Sequence, residues 1–289
     1  MKNEDFPALF QSADAASDEK QKLFLRLIRA EYFSLICAAV LAIDSLKGPT
    51  TYMLYAVAFV VLIVLSLVRA FLRPEQDWYR ARALAESVKT LAWRYVMRAA
   101  PFEDAPSLSV VRTDFQRHLQ SLFDANRELA ALSPGMASAN QITDVMRQVR
   151  SMPLAERVRL YKRERVSDQR SWYSKKATAN RRSARRWVCI GIGTYVIAGI
   201  FVLIRIRLPN LDFWPIEPLI VFASSVIGWM QVKKFNELSA AYSVTAQEVG
   251  LIEPKLEDVN TENHFSDFVN EAELAFSREH TMWLARKTQ

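Results

Sequence analysis

The apolar positions of this 289-residue chain gather into four runs, and elsewhere they fall into helical stripes. The runs are Tyr32–Ile43, Tyr52–Val68, Trp187–Ile204 and residues 213–232. A membrane-crossing helix needs about 20 mostly apolar residues, with a lower limit near 17. The second, third and fourth runs reach that length. The first does so only when the chain through Leu46 is included. Breakers divide each pair: Lys47-Gly48-Pro49-Thr50-Thr51 between the first two, and Arg205 to Trp214, with Pro209, between the last two. The pattern predicts two membrane hairpins, with spans at 32–47, 52–72, 187–205 and 213–232.

Outside the runs the spacing changes to three and four residues, the mark of amphipathic helices. Residues 1–16 read as an irregular start. Ser17-Asp18 then offers an N-cap for a charged helix from Glu19 to Glu31 with Leu23, Leu27 and Ala30 on one face. After Pro74, a helix from Trp78 to Met97 carries the stripe Ala81, Leu84, Val88, Leu91 and Tyr95, with Arg82 and Glu86 placed to pair across one outer turn. A second helix, Leu108 to Leu132, turns Val111, Phe115, Leu119, Leu122 and Leu129 inward, and Ser133-Pro134-Gly135 closes it. A short helix over 141–152 precedes Pro153. From there one unbroken helix is expected to carry the chain into the third run. Helix also follows the fourth run to Ile252, and a last stripe, Phe265, Phe268, Ala272, Phe276 and Trp283, ends the chain.

The order of elements repeats. Each half has Ser-Asp (Ser17-Asp18, Ser167-Asp168), a charged helix, a hairpin and a further helix, with Ala85-Glu86-Ser87-Val88 and Ala241-Tyr242-Ser243-Val244 at matching places. An even number of spans per half gives both halves one orientation. The expected fold is an all-α membrane protein of two parallel repeats, each a two-helix transmembrane hairpin with long cytoplasmic helices. The domains are placed at 1–135 and 140–289.

Charge sharpens this picture. The formal net charge is +7, but the segment from Arg150 to Arg186 alone carries about +10, so the remainder is mildly acidic. Cations cease at Trp187, where the third run begins. The juxtaposition points to anionic lipid headgroups, with Arg181, Arg182, Arg185, Arg186, Lys233 and Lys234 as the headgroup cluster and Trp187 at the interface. Direct nucleic-acid binding is not expected. Basic residues crowd the outer ends of both hairpins, whereas the turns hold only Lys47, Arg205 and Arg207. Positive-inside reasoning places both termini and residues 74–180 in the cytoplasm, with the spans in an inner membrane. Arg205 and Arg207 run mildly against that rule. The first apolar run begins too far from the start to be an ordinary secretory signal.

Catalytic patterns are lacking. Cys37 and Cys189 lie in apolar runs and suit neither a disulfide framework nor a closed zinc site. His118, His264 and His280 read as solvated, and no HExxH, phosphate-binding glycine loop or nucleophile elbow occurs. No enzyme activity, metal or cofactor is expected. Polar groups within the spans carry more weight, because hydrocarbon penalises them. Ser66, Thr194, Ser224, Ser225 and Gly228 are the candidates for pore lining or helix packing, and Ser224 with Gly228 forms a small-xxx-small pattern. Asp44 and Glu217, near the far ends of their spans, are candidates for an acidic rim. Phe265, Phe268, Phe276 and Trp283 are the candidate surface for homo-oligomeric assembly.

In the second half, Ile142-Thr143-Asp144-Val145-Met146, Arg157, Tyr161, Arg165, Asp168-Gln169, Trp172-Tyr173, Lys176-Ala177, Asn180 and Arg185-Arg186-Trp187 resemble a SLATT domain, a SMODS- and SLOG-associating two-transmembrane effector. Gly228-Trp229-Met230-Gln231-Val232-Lys233 and Leu238-Ser239-Ala240-Ala241-Tyr242-Ser243 continue the resemblance. In the first half, Phe6-Pro7-Ala8-Leu9-Phe10, Ala13-Asp14-Ala15-Ala16 and the stretch Ala85 to Arg94 resemble a second SLATT variant. The resemblance implies a pore-forming effector of a prokaryotic conflict system that permeabilises the cell's own membrane. It also implies a trigger, either a nucleotide second messenger or an upstream sensor protein. A housekeeping ion channel or transporter, or a membrane-anchored helical scaffold, would share the topology.

Overall fold

The computed structural model describes residues 1–43, 48–103, 107–128, 140–210 and 213–285, with side chains through Ser277. Every regular element among them is helical: α1 (Ala8–Leu41), α2 (Pro49–Leu72), α3 (Pro74–Val96), α4 (Leu108–Asp124), α5 (Asp144–Ser151), α6 (Leu154–Tyr161), α7 (Asp168–Arg207), α8 (Ile216–Lys233), α9 (Phe235–Ile252) and α10 (Glu262–Ala285). Two helical stretches, within 49–96 and 154–207, are long and apolar enough to cross a membrane. Asp44, Leu129 and the Ser133-Pro134-Gly135 stop lie outside the described residues.

Several boundaries differ from those expected. The first helix does not start at Ser17-Asp18 but at Ala8, since the apolar stripe already begins at Leu9, Phe10, Ala13 and Ala16, all buried. Ser17 is itself buried in the middle of that helix. Ser167 caps nothing either. Its hydroxyl donates to Glu253 Oε1 at 2.8 Å, and the chain runs without interruption from α6 through a π-helical turn, Lys162–Ser167, into α7. Caps form instead at Ser107 on α4, Thr143 on α5 and Thr261 on α10, each accepting a backbone N–H of the first turn.

The helix after the fourth run is also separate from it. Lys234, in the left-handed region at φ 47°, ends α8, and its N–H donates to the Met230 carbonyl at 2.9 Å. Arg73, at φ 41°, ends α2 in the same way, donating to Arg69 at 3.1 Å. Each second hairpin arm thus stops at a left-handed cation and re-starts at once as a new helix. This shared junction is the clearest structural expression of the repeat.

The chain divides into two compact units that cut across the sequence halves. Unit 1 comprises residues 1–21, 75–176 and 241–289. Its core is a series of edge-on aromatic contacts: Phe6 to Trp93 (6.0 Å between centroids), Trp93 to Tyr161 (5.6 Å) and Tyr161 to Phe265 (6.0 Å). Tyr95, Phe102 and Phe115 form an adjoining cluster. The stripes read from spacing face inward: Ala81, Leu84, Val88 and Tyr95 on α3, and Val111, Phe115 and Leu119 on α4. Arg82 and Glu86 pair at 2.6 Å as expected.

Unit 2 comprises residues 22–74 and 177–240 and holds all four apolar runs. The outer ends of both hairpins meet. Glu31 on α1 pairs with Arg69 in the last turn of α2 (3.0 Å). Trp187, opening the third run, lies 6.4 Å from Trp229 near the end of the fourth, and the Arg29 guanidinium stands 5.3 Å from that same ring. Both hairpins therefore open to one side, as parallel repeats require.

Candidate functional site

The site of interest is the helical surface of unit 2, and it is assembled by close packing on one side and left bare on the other. Gly228 brings α8 against α1: a Cβ there would overlap the Tyr32 hydroxyl and lie 3.0 Å from its Cζ. Small residues permit such backbone approach between membrane helices. Gly191 serves α7 against α8 more loosely, with Val226 Cγ1 3.6 Å from where its Cβ would stand. By contrast, α2 buries none of its residues within the chain. Tyr52, Met53, Leu54, Val57, Phe59, Val60, Ile63 and Val64 all stand exposed. In water such a surface would be untenable for a folded monomer, so hydrocarbon or other apolar surface covers it.

The polar residues within the spans divide into two kinds. Thr194 and Ser225 are buried, and their hydroxyls donate back to Ile190 and Val221 carbonyls at 2.9 and 2.8 Å. Each is thereby satisfied within its own helix. Ser66 and Ser224 face outward. Of the acidic pair, Glu217 is exposed in the first turn of α8, and Asp44 lies outside the described residues.

Cations ring the open ends of the hairpins. Arg181, Arg182, Arg185 and Arg186 are exposed, and Lys233 Nζ stands 5.8 Å from the Trp229 ring beside Arg29. Cations stacked on tryptophan are suited to a membrane interface, where the ring sits at headgroup depth. At the opposite end, the Arg205 guanidinium lies 5.5 Å from the Trp214 ring. That stacking packs Arg205 against an aromatic ring of the kind that favours a membrane interface.

Unit 1 corrects two expectations. Phe265, Phe268 and Phe276 do not form an exposed assembly surface. All three are buried, because α10 turns them into the core of its own chain. The Trp283 side chain lies outside the described set. Nor are all the cations of the basic segment directed at headgroups: Arg150, Arg157 and Arg165 are buried. Arg150 Nη2 donates to the Phe102 carbonyl at 2.9 Å and Nη1 to Tyr95. Arg157 Nη1 donates to the Met97 carbonyl at 2.7 Å, and its Nη2 pairs with Glu262. These two arginines donate to carbonyls at and beyond the end of α3, where helical N–H partners run out.

Arg165 is different, for its partner is a buried acid. Its Nε and Nη2 grip both oxygens of Glu273 at 2.8 and 2.6 Å, and Tyr161 and Thr90 each donate to that carboxylate at 2.9 Å. Burial, reinforced by the Glu273 charge, pushes the Tyr161 phenol well above its ordinary range, so it remains a donor. Burial also depresses the Lys89 ammonium, and nearby Arg165 adds to the effect. A signal for this network was present in the sequence: Glu273 falls four residues after Val269 and three before Phe276, on the apolar face of α10. Arg157, Tyr161 and Arg165 recur at intervals of four, a row on one side of a helix.

Two packed hairpins with outward apolar surface define an all-α protein of the membrane. The sequence matches two family models in tandem. SMODS and SLOG-associating 2TM effector domain 3 covers residues 7–158, and SMODS and SLOG-associating 2TM effector domain 1 covers 161–283. The first match alone spans more than half of the chain, which belongs to this SLATT family of two-transmembrane effector domains. Comparison with curated proteins and with solved structures gave no significant match.

Proposed function

We propose that the chain is a pore-forming effector of a prokaryotic conflict system, which assembles as a homo-oligomer and depolarises the inner membrane when triggered. The observation that carries this reading is the outward exposure of Ser66 and Ser224 on membrane helices. Hydroxyls facing lipid gain nothing there, whereas facing another copy they form the polar wall that a conducting path needs. Membership of a two-transmembrane effector family supports the same reading. In this arrangement both termini and unit 1 face the cytoplasm, the ring of Arg181 to Arg186 with Lys233 and Lys234 rests on anionic headgroups, and Glu217 contributes to an acidic outer rim. The trigger is a nucleotide second messenger or an upstream sensor protein, received by unit 1.

The test is induced expression with a potential-sensitive dye, comparing the wild type with Ser66→Leu/Ser224→Leu. Rapid depolarisation by the wild type and its loss in a double variant that still reaches the membrane is the expected result. Equal depolarisation by both would remove the serines from the pore wall. A wild type that never conducts, even in liposomes given candidate nucleotides, would leave the scaffold reading in its place.

A further inference from the structure

Between α7 and α8 of unit 2 lies a cleft of about 410 Å³. Its walls are single faces of the two helices. Trp187, Gly191 and Tyr195 lie along α7 at spacings of four, and Val226 and Met230 face them from α8. Gly191 leaves the gap open, because any larger side chain would project towards Val226. The cleft is apolar along its length and polar at one end, where Gln231, Lys234, Asn236 and Glu237 line it. That end is the headgroup level, marked by the Trp187–Trp229 contact and by the left-handed Lys234 junction.

We infer that this cleft binds one anionic phospholipid, with an acyl chain between α7 and α8 and the phosphate at Lys234. The volume is of the size that holds a small ligand, and pockets between membrane helices with basic mouths accept anionic headgroups. Charge favours an anion. Arg185 and Arg181 precede Val188, another lining residue, by three and seven positions and so continue its helix face towards the mouth. One carboxylate opposes them: Glu237 stands 3.9 Å from Lys234 Nζ. The three cations outweigh it. The inference rests on the membrane placement proposed above but not on conductance.

The probe is tryptophan quenching in the full-length protein, reconstituted in phosphatidylcholine vesicles. Brominated phosphatidylglycerol and brominated phosphatidylcholine are compared at equal mole fraction, with Trp187→Phe isolating the signal from the cleft. The anionic lipid should quench the Trp187 component with about fivefold higher apparent affinity, a preference of the size expected from one surface cation. Gly191→Ile, which fills the cleft and leaves every charge in place, should abolish the preference. Lys234→Asn tolerates the left-handed backbone and should reduce the preference to near unity while quenching by phosphatidylcholine persists. Equal quenching by the two lipids in the wild type would overturn the inference. So would a preference that survives Gly191→Ile, since diffuse surface charge would then explain it.

Discussion

Glu273 is the residue on which unit 1 depends most sharply. Both its oxygens are shared among Arg165, Tyr161 and Thr90, and it is completely buried. A buried ion pair adds little over a well-packed apolar pair, but removing one partner strands the other charge in a low-dielectric interior. Glu273→Gln should therefore destabilise the protein by about 3–5 kcal/mol. The paired replacement Arg165→Met/Glu273→Leu should recover most of that loss. Thermal unfolding of the detergent-solubilised protein, followed by helix signal, compares the three. At this scale the sequence was legible in part. The inward stripes of α3 and α4 followed from spacing alone. The buried arginines did not, because a cation is ordinarily a surface group, and the carbonyls and carboxylate that receive it come from distant parts of the chain.

At the scale of elements, the two left-handed junctions are the informative feature. A side chain at positive φ meets the carbonyl that follows it, at a cost of roughly 1–2 kcal/mol relative to glycine. Arg73 and Lys234 both bear that cost at the same place in the repeat. Arg73→Gly should raise stability by about 1 kcal/mol, whereas Arg73→Ala should not, since alanine keeps the steric conflict. Chemical denaturation in detergent distinguishes them. The helix breaks between α1 and α2 and between α7 and α8 were readable because an apolar run interrupted by Lys47-Gly48-Pro49 or Pro209 permits few alternatives. The breaks at Arg73 and Lys234 were harder to see, for neither residue type announces a left-handed turn. At Arg73 the adjacent Pro74 gave a hint, while at Lys234 the apolar pattern simply continues into α9. The Ser-Asp pairs misled for the opposite reason. Their local capping preference was overridden by apolar stripes that run through them.

For the whole molecule, the decisive property is that unit 1 draws on three separate stretches of chain, and both family-matched segments contribute to its core. Phe10 and Trp93 come from one segment, Tyr161 and Phe265 from the other. Expressed alone, residues 1–158 should be rapidly degraded by limited proteolysis, because α3 would expose the face that buries Trp93 and Val88. Co-expression with residues 159–289 should restore a resistant core and co-purification of the two fragments. Independent resistance of each fragment would show that the halves are self-sufficient. This interleaving could not be read from spacing. Periodicity tells which face of a helix is covered but not which distant helix covers it.

The lateness of α10 has a consequence for biogenesis. Glu273 is translated after all four apolar runs, so the hairpins reach the translocation machinery while Arg165 still awaits its counter-charge. A ribosome that stalls, or a message cut short before α10, yields a product with its membrane segments made and unit 1 unfinished. In such a product the buried arginine has no acid to meet, and cellular proteases find an open core. Quality control would thus clear incomplete chains selectively, and only copies with α10 in place would persist in the membrane.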